Sequence, residues 1–189
     1  MKVAINGCEL GFEVRGDIGL PLVLIHGFGL NRGIWYELVS NALRKSRVVL
    51  VDVRGHGESD APEGAYSMSQ LAEDLLALLD HLRSPKAIIC GHSMGGYISL
   101  ACAAAFPNRL AGLGLITSRA QADSETQRQN RYALIKKIQD EGVTALADTL
   151  PPRLTKNPAI MEHAQQIILQ MPAQGIIGTA YAMAERPNH

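Results

Sequence analysis

Short, unbroken apolar runs punctuate the first half of the chain at Leu22-Val23-Leu24-Ile25, Val48-Val49-Leu50-Val51 and Ala87-Ile88-Ile89-Cys90. A run that is apolar at every position has both sides of its pleat buried, as in a strand between two layers of helix. Helical patterns separate these runs, and the alternation predicts an α/β fold with a mostly parallel, doubly wound sheet covered on both faces. Residues 3–5 and 11–15 predict a leading hairpin around Asn6-Gly7. Strands are expected over 22–25, 47–51, 87–90 and 110–117, the last carrying Gly112 and Gly114. A helix near 34–43 should turn Trp35 and Leu38 to the core. Ser67-x-x-Gln70 forms a capping box before the amphipathic stretch 71–79, and the apolar run 97–105 reads as another helix.

From Ser118 the composition shifts. Residues 119–130 are rich in Gln, Arg and Asp, and helical patterns recur at about 132–141, 144–150, 159–171 and 175–185, separated by prolines. No strand pattern returns and no repeat is present. This predicts a core over 1–118 followed by a helical cap over 119–187. Met161, Ile167, Ile168, Met171, Ile176 and Ile177 either line a substrate pocket or pack the cap helices together, and packing is the commoner use of such residues.

The chemistry concentrates in Gly91-His92-Ser93-Met94-Gly95, set between a predicted strand and a predicted helix. Gly-x-Ser-x-Gly in that setting is the pattern of a nucleophile elbow. The turn is so tight that side chains two residues either side of the Ser would collide, which Gly91 and Gly95 avoid, while Gly96 lets the helix approach the sheet. Ser93 is thereby pushed out at the carboxyl end of the sheet, with the Met94 amide at a helix N-terminus where negative charge is stabilised.

Acyl transfer to a Ser needs two N–H donors for the developing oxyanion, one from the residue after the nucleophile, Met94. The other comes from a loop after an earlier strand. Strand 22–25 ends in His26-Gly27-Phe28-Gly29, and glycines on both sides of Phe28 let its N–H turn into the site. The spacing Gly27-x-Gly29-x-x-x-Gly33 does not fit a dinucleotide fingerprint. A third motif, Asp52-Val53-Arg54-Gly55-His56-Gly57-Glu58-Ser59-Asp60, reads as a scaffold loop whose polar groups satisfy one another, in preference to a source of catalytic Asp52 or His56.

His-Gly-Phe-Gly, then Asp-x-Arg-Gly-His-Gly-x-Ser, then Gly-His-Ser-Met-Gly-Gly, in this order and spacing, resemble the α/β-hydrolase superfamily, nearest its small carboxylesterases and 3-oxoadipate enol-lactonases. The resemblance implies Ser93 as nucleophile and the Phe28 and Met94 amides as oxyanion hole, supported by His26, Gly27, Gly29, Gly91, His92, Gly95 and Gly96. Ser rather than Asp at the elbow argues against the branches that attack with a carboxylate. The resemblance also implies a catalytic acid and a His after two further strands. None follows the cap here, so both are expected beyond residue 189 and the core is expected to lack its C-terminal strands. Thr117 and Ser118 offer no carboxylate at the end of the last strand, and Asp123 lies beyond it. Of the six histidines, His26, His56 and His92 belong to the motifs and His81 ends a helix; His163 and His189 could reach Ser93 only by unusual geometry.

Eighteen basic and eighteen acidic residues cancel, so there is no footprint for nucleic acid or an anionic membrane. No apolar stretch is long enough to span a bilayer. Cys8, Cys90 and Cys102 are odd in number and lack metal spacing, which points to no metal and to a reducing cytoplasm. The reading is a cofactor-free Ser hydrolase of small esters or lactones, incomplete in this chain. Cofactor-independent perhydrolase activity would use the same machinery. The alternative from another class is a non-catalytic fragment or assembly module, with a homo-oligomer or a complementing C-terminal fragment covering the open sheet.

Overall fold

A computed structural model describes residues 1–189. Six strands form one sheet in the order β1-β2-β4-β3-β5-β6: β1 (Lys2–Ile5), β2 (Cys8–Arg15), β3 (Ile18–Ile25), β4 (Ser46–Val51), β5 (Ala87–His92) and β6 (Leu110–Ile116). β1 and β2 form the expected hairpin, and β2 joins β4 antiparallel. The pairs β3–β4, β3–β5 and β5–β6 are parallel.

Strand alternation divides the side chains between two cores. Leu24, Val48 and Leu50 project to one face and pack with Trp35 and Val39 of a 3₁₀ turn (Arg32–Trp35) and helix α1 (Tyr36–Asn41). Val23, Ile25, Val49, Val51 and Ile89 project to the other, against α2 (Met68–His81) and α3 (Met94–Ala105). Leu38 does not face the core as its spacing predicts; it is 41% exposed. The first turn winds as 3₁₀, with three residues per turn, and that change of pitch brings Val39 to the sheet instead. Ser67 caps α2 by accepting the Gln70 N–H at 3.1 Å, without the reciprocal bond of a full box.

After β6 come α4 (Glu125–Glu141), α5 (Thr144–Ala147), α6 (Pro151–Leu154), α7 (Pro158–Leu169) and α8 (Ala173–Ala184). α4 starts before residue 132 because a complete capping box, Ser124 with Gln127, opens it. Its exposed first turns show no apolar stripe: only Ile135 and Ile138 are buried. These helices join the larger core through Leu146, Ile167, Ile168, Ile176 and Met183, with Met171 from the turn between α7 and α8. Close contact with the loop after β4 requires glycine on both sides: a Cβ on Gly55 would lie 2.6 Å from the Gly175 Cα. β6 ends the sheet, with Leu113 and Leu115 each 42% exposed.

Candidate active site

β5 runs directly into Ser93, whose backbone sits at φ 51°, ψ −111°, and α3 starts at the next residue. That left-handed conformation is strained for any residue with a Cβ. The surroundings enforce it. A Cβ on Gly91 would lie 2.0 Å from the Gly95 carbonyl carbon, and one on Gly95 would lie 2.4 Å from the Ile25 oxygen. A Cβ on Gly96 would lie 3.3 Å from the Gly91 carbonyl oxygen of β5 and, more closely still, 2.3 Å from Ser118 Oγ beyond β6. The Ser93 N–H donates to the Ile116 carbonyl at 2.9 Å, and Ser118 Oγ donates to the Ser93 carbonyl at 2.8 Å. The end of β6, read from sequence as lacking a carboxylate, thus holds the elbow in place.

The loop after β3 turns beside it. Leu30 N–H closes a turn on the Gly27 carbonyl, and Gly29 takes φ 70° with Leu146 and Leu150 against it. Two buried imidazoles shape this turn. His26 Nε2 accepts the Val53 N–H at 3.1 Å, which leaves its Nδ1–H to donate to the Gly27 carbonyl at 2.8 Å. His56 Nε2 accepts the Gly29 N–H at 3.2 Å. Burial holds both rings below the ordinary imidazole pKa, His56 at about 3, so both are neutral acceptors. The Phe28 N–H has no backbone acceptor. Met94 is the first residue of α3, so its N–H has no partner within the helix.

The charged loop after β4 is satisfied partly from within and partly by Arg32 before α1 and Asp74 on α2, rather than by its own polar groups alone. Asp52 accepts the Arg32 N–H at 2.7 Å, the Glu58 N–H at 3.0 Å and the Arg32 guanidinium. Arg54 makes a two-pronged ion pair with Asp74, both ends buried.

Gly27, Phe28, His92 and Ser93 line one cavity of about 520 Å³, together with Tyr97, Leu134, Leu146, Leu150, Leu154 and Met183. The isoleucines singled out along α7 and α8 pack the core instead. His92 is the imidazole in the lining. Its Nδ1 is buried without a partner, and burial lowers its pKa. His163 lines a different cavity, beside Arg32 and Asp52, and His189 a third. No group of three or more His, Cys, Asp or Glu side chains is placed to hold a metal ion.

Sequence reasoning passed over the guanidiniums of this cavity, Arg119, Arg131 and Arg153, and weighed Asp123 only as an acid lying beyond the last strand. Asp123 receives Arg119 at 2.7 Å, Arg131 at 3.0 Å and Arg186 at 2.7 Å. Burial opposes its charge, but the hydrogen bonds from Arg186 and Arg131 prevail and hold the carboxyl below its usual range. Arg186 also stacks 3.9 Å over Tyr97 of the elbow helix. The signal lay in the dense, mixed charge of residues 119–131, read only as a change of composition.

A model of the alpha/beta hydrolase fold matches residues 21–158. The chain belongs to the α/β-hydrolase family. It is 32% identical over 183 residues to 3-oxoadipate enol-lactonase 2 of Acinetobacter baylyi, covering 93% of this chain and 67% of that protein. The solved thermophilic esterase of Thermogutta terrifontis superposes with a TM-score of 0.92 at 36% identity, over 100% of this chain and 74% of that one. The enol-lactonase of Burkholderia xenovorans gives 0.92 at 28% identity, over 100% and 75%. This α/β-hydrolase chain thus spans two thirds to three quarters of these three relatives.

Proposed function

We propose that this α/β-hydrolase chain carries the nucleophile and oxyanion hole of a carboxylesterase or lactonase acting on small esters. The observation that carries the reading is Ser93, held at positive φ by glycine contacts and opening into the same cavity as the Phe28 loop. The relatives named esterase and enol-lactonase support the ester-bond chemistry. Ser93 Oγ attacks the substrate carbonyl as its hydroxyl proton passes to a base, and the tetrahedral oxyanion is received by the N–H groups of Phe28 and Met94. The C–O bond to the leaving alkoxide breaks, the alkoxide takes that proton from the base, and an acyl-Ser93 ester remains for water to hydrolyse. Helices α4 to α8 act as the cap over this cavity, and the three unpaired thiols support a reducing, cytoplasmic setting. No helix is long and apolar enough to cross a membrane.

Ser93 needs a base. His92, its neighbour in sequence, lines its cavity with Nδ1 unpartnered, and no imidazole is hydrogen-bonded to Ser93 Oγ, so turnover by these 189 residues alone is expected to be low. The absence of a base bonded to Ser93 Oγ favours the second reading, a module that keeps the fold without catalysis. A fluorophosphonate probe followed by peptide mass spectrometry separates them: modification at Ser93, lost in Ser93→Ala, supports the hydrolase. A folded chain left unmodified supports the module. Should a monomer hydrolyse nitrophenyl esters rapidly, His92 rather than His163 is the first imidazole to replace.

A further inference from the structure

We propose that the substrate of this cavity carries a carboxylate, and that Arg153 is the residue that binds it. The proposal rests on the reading of the Ser93 cavity as a substrate site and adds the class of molecule it takes. The charged side chains in the lining are Arg119, Arg131 and Arg153 against a single carboxylate, Asp123, which leaves two positive charges in excess. Arg119 and Arg131 are both engaged by Asp123. Arg153 is not; it is exposed on α6 and none of the ion pairs includes it. The same lining holds Leu134, Leu146, Leu150 and Leu154, with Gln127, Asn130 and Thr149 as uncharged polar groups. A guanidinium without a protein anion, in a lining shared with four leucines, suits the planar, two-pronged binding of a carboxylate.

The placement also orients the molecule. Gly27, Phe28, His92 and Ser93 come from the sheet side of the cavity, whereas Leu146, Leu150 and Arg153 come from the helices after β6. A small ester with its carboxylate on Arg153 presents its other end to Ser93. The volume, about 520 Å³, suits a compact molecule of this kind. Excess positive charge in a cleft also concentrates anions there and speeds their arrival.

Binding tests this without relying on turnover. The full chain carrying Ser93→Ala is titrated by calorimetry with monomethyl glutarate, which keeps one carboxylate, and with dimethyl glutarate, which has none. The half-ester is expected to bind about 10-fold or more tightly, with the preference shrinking at high salt. Arg153→Gln, an exposed change that circular dichroism should show to be folded, is expected to remove most of the preference. Equal affinities, a preference untouched by Arg153→Gln, or no binding of the half-ester at millimolar concentration overturns the proposal. Labelling of Ser93 is measured separately on the unaltered chain. A half-ester preference without labelling therefore keeps the carboxylate site and removes the nucleophile, and labelling without the preference does the reverse.

Discussion

His56 Nε2 accepts the backbone N–H of Gly29, tying the charged loop after β4 to the turn that carries Phe28. A neutral imidazole accepts at Nε2; a protonated one does not. Burial, reinforced by the nearby His26, holds the folded pKa of His56 at about 3 against an ordinary 6.5. Between those values the unfolded chain binds a proton that the folded chain refuses. Stability is therefore full above pH 6.5 and is lost as pH falls through that window, by about 2 kcal/mol at pH 5. His26, also held low, acts in the same direction. Urea unfolding at pH 7.5 and pH 5 checks the sign; equal stability at both would mean that these rings are not buried as neutral acceptors.

Ser93 is predicted to be a site where stability is given up for geometry. At φ 51°, a glycine has no Cβ to strain. Ser93→Gly should raise unfolding stability by about 1 kcal/mol while abolishing fluorophosphonate labelling, and Ser93→Ala should abolish labelling with little gain. Denaturant midpoints of the three proteins decide it. A glycine variant no more stable than the alanine variant would show that the elbow stores no strain.

Phe28 contributes its N–H, so the informative replacement is one that deletes that group. Phe28→Pro is expected to slow labelling at Ser93 by about 10²- to 10³-fold, and Phe28→Ala much less, in protein shown to be folded. If the proline variant labels at the unaltered rate, the second donor comes from elsewhere.

β6 presents a strand edge without charge, with Leu113 and Leu115 exposed beside it. Such edges pair with other chains. The 189-residue chain is expected to self-associate, and Leu115→Lys should shift it toward monomer in light scattering, as should a peptide that occupies the edge. A chain that is monomeric at high concentration without either change would refute the pairing.

Much of this was legible in the residues because the signals are local. All-apolar runs show which segments are buried on both faces, and Gly91, Ser93 and Gly95 show where a strand must turn sharply into a helix. Where winding changed pitch, as at Leu38, spacing misplaced the side chain. Where a helix was mostly exposed, as at the start of α4, no apolar stripe announced it.

The sequence by itself determined the parallel core, the elbow and the loop facing it, since each depends on residues close together in the chain. The tertiary structure alone decided what surrounds Ser93. Asp123 gathers guanidiniums from positions 119, 131 and 186, and Arg153 arrives on a helix about sixty residues past the elbow. His163 is turned to a separate cavity. Charges interact through space at a few ångströms regardless of how much chain separates them, so no periodicity or motif records which of them meet.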